Sequence, residues 1–128
     1  MRIDAYFRII QELIASSHIV LLSNITYEQR GAFEGFIRGE LTFVDGSLLH
    51  IREFVDVERS IEWLMYAYQY LNPSRQLVFR YDNTGHHKRL GLSTYPHHKH
   101  DGSELHVVIS NAPALAEVLR EIESRVEL

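Results

Sequence analysis

Two short runs hold most of the residues able to do chemistry. One is Arg80-Tyr81-Asp82-Asn83-Thr84-Gly85-His86-His87; the other is Pro96-His97-His98-Lys99-His100. Five of the 8 histidines and both lysines, Lys88 and Lys99, lie between residues 75 and 100. With Arg75, Arg80 and Arg89 set against Asp82 alone, that segment carries +4 and the remainder of the chain -8. An acidic body bearing one cationic, histidine-dense island attracts anions, and phosphate is the commonest biological one. A solvated basic loop, or one that docks on an acidic partner, accounts for the charge as well.

Three chemistries fit these residues. Metal-independent RNA cleavage needs a base for the 2′-OH proton, an acid for the leaving oxygen, and cations for the charged phosphorane. Histidine suits the first two tasks because it titrates near working pH. Arginine suits the third through its bidentate fork. A metal site is the second, since His97, His98 and His100 with Asp82 or Asp101 supply enough donors. Neither an HExxH helix nor another diagnostic spacing supports it, and the interleaved lysine repels a cation. In a strand, His98 and His100 share a face while His97 points away. The third reading is structural, with the imidazoles bonded to backbone carbonyls.

Composition narrows the class. A chain of 128 residues, 45% hydrophobic and 23% charged, suits a single domain spanning 1–128. It has no cysteine, which removes disulfides, thiolate-bound metals and thiol nucleophiles. No apolar run approaches the ~20 residues of a membrane span. The N-terminus lacks the uninterrupted apolar core of a signal peptide, so a cytoplasmic protein without membrane association is expected. The net charge of -4 argues against a uniformly basic nucleic-acid binder.

The elements that must position the two runs follow from periodicity. Residues 4–15 predict a helix with Tyr6, Ile9, Ile10, Leu13 and Ile14 on one face and Asp4 as its cap. Residues 18–28 alternate as a strand. Strands over 32–44 and 47–56 flank Asp45-Gly46, and a two-residue turn pairs Leu41 with His50 and Arg38 with Glu53. Glu40, Arg52 and Glu53 then read as a surface ladder of charges, with a second functional patch as the alternative. Residues 61–71 fit both a helix and a strand. The turn chemistry of Asn72-Pro73-Ser74-Arg75, ahead of a clear strand at 76–82, favours the strand. A four-residue loop there sets Tyr70 opposite Leu77, Tyr68 opposite Phe79 and Tyr66 opposite Tyr81. That aromatic face is expected to be core; were the Tyr66–Tyr68–Tyr70 row exposed, it would suggest base stacking or a dimer interface. Residues 83–103 are turn-rich, with a short edge strand at 90–95, and 104–110 alternate again. Asn111-Ala112-Pro113 opens a last helix with Leu115, Val118, Leu119, Ile122 and Val126 as its stripe. The outline is α+β: an antiparallel meander of five to seven strands with an N-terminal and a C-terminal helix.

The chain resembles the TumE family of toxins from prokaryotic type II toxin–antitoxin systems. The resemblance covers about residues 18–110. It runs through Gly39-Glu40-Leu41, Asp45 to Asp56, Tyr66-Ala67-Tyr68-Gln69-Tyr70, Arg80-Tyr81-Asp82-Asn83 with His86-His87, and Pro96-His97-His98-Lys99-His100. The last two motifs are the specific part. Lys88-Arg89-Leu90-Gly91 departs from the more acidic or proline-bearing insert expected there. The resemblance implies a small cytoplasmic toxin neutralised by a cognate antitoxin protein; toxins of this size commonly inhibit translation, often by cutting RNA. It supplies no catalytic assignment.

The expectation taken to the structure is a toxin that binds RNA and cleaves it with no metal and no cofactor. Arg80 and Lys99 hold phosphate. Two of His86, His87, His97, His98 and His100 serve as base and acid. Asp82 orients a histidine or anchors Arg80, while Lys88 and Tyr95 contact substrate, Tyr95 by stacking on a base. The alternatives are a non-catalytic module that binds RNA or protein and, third, a histidine-ligated metal-dependent hydrolase. Self-association as a homo-oligomer is left open.

Overall fold

A computed structural model describes residues 1–84, 96–104, 106–110 and 112–126, the side chain of Ile109 excepted. His86, His87, Lys88, Tyr95 and the edge strand expected at 90–95 therefore lie outside the described residues. The chain opens with α1 (Ile3–Ala15), followed by β1 (Val20–Arg30), β2 (Glu34–Phe43), β3 (Leu48–Asp56), β4 (Glu62–Leu71), β5 (Leu77–Asp82), β6 (His98–Asp101) and β7 (Val107–Ile109), and closes with α2 (Leu115–Glu123). The strands form one antiparallel sheet in the order β1-β2-β3-β4-β5-β6-β7. The expected α+β meander with a helix at each end is what the chain forms, at the upper limit of the strand number.

Helix α1 buries Ile3, Tyr6, Phe7, Ile10 and Ile14. Ile9, expected on the stripe, is 46% exposed, because the stripe centres on Ile3, Phe7, Ile10 and Ile14 at helical spacing. Asp4 does not cap. Arg2 is the N-cap, and Asp4 lies in the first turn, where a carboxylate meets the positive end of the helix dipole. Pro113 precedes the α2 N-cap, Ala114, whose amide donates to the Glu117 carboxylate at 3.3 Å.

The β2–β3 hairpin differs from expectation by one residue. Its loop is Val44-Asp45-Gly46, closed by Phe43 N–H to Ser47 O at 2.9 Å and Gly46 N–H to Phe43 O at 2.9 Å. Gly46 takes φ +87, the left-handed residue that a three-residue hairpin loop requires. Leu41 therefore pairs with Leu49, and Arg38 with Arg52 rather than Glu53. A one-residue slip exchanges the two faces of a strand, so Glu53 goes to the core instead of joining a charge ladder. The β4–β5 register differs by two residues, with Tyr70 opposite Phe79 and Tyr68 opposite Tyr81. An even shift preserves the faces.

Both helices cover the face that carries Tyr66, Tyr68 and Tyr70, which are 2%, 0% and 3% exposed. This row is core, so neither base stacking nor self-association runs through it. Beneath α1 it encloses a carboxylate. Glu53 Oε2 accepts from Tyr68 Oη at 2.7 Å, and Oε1 accepts from Tyr6 Oη and, at 3.2 Å, from Trp63 Nε1. Burial pushes the Glu53 carboxyl up, and these three donors offset only part of that. A raised folded pKa contributes stability that is complete below the unfolded value of about 4.3 and is lost as pH rises through the folded one. Wild type should therefore lose stability relative to Glu53→Gln as the pH is raised from about 4.3 toward neutrality and beyond. Urea unfolding midpoints across that range measure this; a wild-type advantage that grows with pH would be the wrong sign.

Candidate active site

The opposite face of the sheet carries no helix among the described residues. Residues paired directly across strands share a face, and two adjacent rows cross it. One row runs Glu40, His50, Gln69, Arg80, His100; the other runs Arg38, Arg52, Ala67, Asp82, His98. Period-two alternation along each strand puts both rows on this side and sends Tyr81 and Lys99 to the other.

Asp82 is the anchor. It is fully buried and accepts from Arg80 Nε at 2.9 Å, from the Thr84 amide at 3.0 Å and from the Thr84 hydroxyl at 2.9 Å. His98 Nε2 stands 2.9 Å from one of its oxygens and His100 Nε2 3.6 Å from the other. Burial, the largest influence, opposes ionisation of Asp82. The Thr84 amide, the Arg80 guanidinium and the Thr84 hydroxyl together outweigh it and hold the carboxyl below its ordinary range.

The two imidazoles are fixed from behind. His98 Nδ1 lies 2.9 Å from Pro96 O and His100 Nδ1 2.9 Å from Glu104 O. A carbonyl only accepts, so each Nδ1 carries the proton and each Nε2 turns to Asp82. Both rings are 2% exposed. Arg80 spans the boundary between this buried cluster and solvent. Its Nη1 reaches Gln69 Oε1 at 3.5 Å and the Glu104 carboxylate at 3.2 and 3.3 Å. It also borders a cavity of about 470 Å³ shared with His50, Arg52, Gln69 and Thr84.

Asp82, His98 and His100 bring ligand atoms within 4.8 Å of one another. One carboxylate and two imidazoles are donors suited to a transition metal, and the backbone-tied Nδ1 atoms match the way such ligands are oriented. Arg80 donating to the same carboxylate opposes a cation by charge repulsion. Of the metal donors expected from sequence, His97 and Asp101 stay outside this cluster.

The structure thus brings together Arg80, Asp82, His98 and His100 and leaves two other candidates elsewhere. His97 stacks on Tyr66 with ring centroids 5.8 Å apart, its Nδ1 2.9 Å from Tyr66 Oη. Lys99 lies on the helix side, 3.2 Å from the Glu121 carboxylate and 4.8 Å above the Tyr81 ring. Asn83, not singled out from sequence, accepts from the Tyr66 amide at 3.0 Å and so fastens the end of β5 to β4. Arg38, Glu40, His50 and Arg52 share the open face with Arg80. The parity of β2 and β3 carries that signal, and the mistaken hairpin register concealed it.

The fold and this face define a small α+β meander domain whose uncovered sheet surface carries a carboxylate-anchored arginine among further cationic side chains. The chain belongs to the TumE toxin family: the family model described as Toxin TumE matches residues 10–126. The resemblance read from the Arg80–Asn83 and Pro96–His100 motifs is borne out. Membership makes the protein a toxin and implies an antitoxin as its partner. No curated protein and no solved structure matches the chain significantly. No described helix is long and apolar enough to cross a membrane.

Proposed function

We propose that this toxin cleaves RNA without a metal ion, on the helix-free face of its sheet. The observation that carries this reading is the Arg80 guanidinium, held by the buried Asp82 and bordering the cavity that Arg52 and Thr84 also line. A guanidinium whose Nε is committed to a carboxylate keeps its Nη edge for a phosphate. The exposed Glu104 carboxylate takes that edge in the free protein and gives way to substrate. His98 and His100 pack against Asp82; their burial suits a structural role better than proton transfer. The chain leaves this cavity at Thr84 for Gly85-His86-His87-Lys88. His86 or His87 supplies the acid that protonates the leaving oxygen, while Lys88 and Tyr95 contact the RNA. His97 and Lys99, on the opposite face, serve the fold in this reading. The antitoxin neutralises the toxin by covering this surface.

Purified toxin given labelled RNA in EDTA should yield fragments ending in a 2′,3′-cyclic phosphate. His86→Ala or His87→Ala should lower the rate ~100-fold or more where that ring is the acid or base. Cleavage that chelator abolishes and a transition metal restores would instead make Asp82, His98 and His100 a metal centre. Binding with no product at high toxin concentration would reduce the protein to a binding module.

A further inference from the structure

We propose that His50 is the catalytic base of this site, positioned by Glu40, with Arg52 and Arg80 holding the scissile phosphate. This deepens the ribonuclease reading and rests on it. His50 lies outside both motifs that suggested the chemistry. The sheet nevertheless sets it in the same row as Gln69 and Arg80, two strands from the latter. At the ordinary spacing between strands their backbones are about 10 Å apart, a gap that a phosphodiester and its ribose can bridge.

Exposure separates His50 from the two imidazoles beside Asp82. His98 and His100 are 2% exposed, whereas the His50 side chain is 44% exposed. Its Nδ1 stands 3.6 Å from Glu40 Oε2. That contact is long for a hydrogen bond, as base–carboxylate contacts in unliganded sites often are. With Nδ1 turned to the carboxylate, Nε2 is the nitrogen offered to substrate, and the carboxylate fixes the tautomer that can accept a proton.

The charges around it are those a phosphodiester needs. Arg52 lies two residues along β3 on the same face and lines the same cavity. Arg38 is paired directly opposite Arg52. Like charges placed so destabilise a sheet, and neither arginine makes an ion pair among the described residues. Two exposed guanidinia held side by side without a counterion make an anion site. His50 also borders a second cavity, of about 480 Å³, lined by Asn24, Thr26, Arg38 and Glu40. The two cavities meet at His50, so a nucleic-acid strand running from Arg38 to Arg80 passes over it.

The reaction is an internal transesterification. His50 Nε2 takes the 2′-OH proton, and the 2′-oxygen attacks phosphorus. The bond from phosphorus to the 5′-oxygen breaks, and that oxygen leaves with a proton supplied by the site's general acid. The products are a 2′,3′-cyclic phosphate and a 5′-hydroxyl. Arg52 and Arg80 carry the charge that accumulates on the phosphoryl oxygens.

The test uses the full chain, a labelled RNA oligonucleotide for cleavage and its 2′-O-methyl analogue for binding. His50→Gln should lower kcat ~100-fold or more, leave binding of the analogue within about threefold, and remove one limb of the pH–rate profile. Glu40→Gln should lower kcat about tenfold with KM unchanged. The urea midpoint of each variant, expected to match wild type at these exposed positions, reports on folding. Wild-type cleavage with a near-normal rate and unaltered pH profile in His50→Gln would overturn His50 as the base and leave the ribonuclease reading intact. No cleavage by wild type, with the analogue still bound, would overturn both.

Discussion

Asp82→Ala should lower the unfolding free energy by about 3 kcal/mol or more, the scale seen when one partner of a buried charge pair is removed. The variant leaves the Arg80 Nε, the Thr84 amide and the Thr84 hydroxyl without their shared acceptor, beside two buried imidazoles turned toward it. Each stranded donor bears its own desolvation cost. Asp82→Asn keeps the volume and one acceptor but not the charge, so its loss should fall between wild type and alanine. The pH dependence carries a definite sign. A carboxyl whose folded pKa is lowered contributes stability present above its unfolded value of about 3.9 and lost as pH falls through the folded one. The gap between wild type and Asp82→Asn should therefore be full near neutrality and close in acid. Glu53, whose pKa is raised, runs the other way, so the two variants should diverge in opposite directions along the same pH series. Urea unfolding of Asp82→Ala with a change under about 1 kcal/mol would remove the carboxylate as the anchor of the site.

Gly39→Ala should cost about 4 kcal/mol or more and disrupt the β1–β2 ladder. Gly39 has φ +149, a conformation that residues with a Cβ rarely adopt, and a Cβ there would stand 2.0 Å from the Asn24 carbonyl oxygen and 2.8 Å from Ile25 Cα. Both obstacles are backbone of the paired strand, so no side chain can rotate to make room. Strand β1 must move away, and its hydrogen bonds with β2 go with it. Because Gly39 lies between Arg38 and Glu40 and borders the cavity beneath His50, the same substitution should also weaken RNA binding at temperatures where the variant is still folded. Thermal unfolding of Gly39→Ala that overlays wild type would show that the strand relaxes at no cost.

Much of the framework is legible in local pattern. Alternation through Tyr66, Tyr68 and Tyr70 predicts one buried aromatic face, and helical spacing from Leu115 to Ile122 predicts a covering helix; both occur. The shared face of His98 and His100, with His97 apart, follows from the same period of two. The hairpin register does not follow. Asp45-Gly46 fits a two-residue turn as well as the three-residue loop that forms, and the choice rests on matching Leu41 to Leu49 across strands. Glu53 is legible only as a charge among charges, because the tyrosines and tryptophan that take it into the core come from Tyr6, Trp63 and Tyr68, up to 47 residues away. Lys99 and Arg80 both read as phosphate ligands until the pairing of β5 with β6 sets Arg80 beside His100 and Lys99 beside Tyr81.

From its residues alone this chain settles which side chains travel together along each strand and helix, since those periods are properties of the local backbone. Which face the helices cover, and which residues of separate strands confront one another, is decided only in three dimensions. Helix-on-sheet burial and strand register are long-range matches, won by whichever pairing removes most apolar surface while leaving no buried polar group unsatisfied. That contest put Glu53 in the core, Lys99 beneath α2, and His50 on the open face with Arg52 and Arg80.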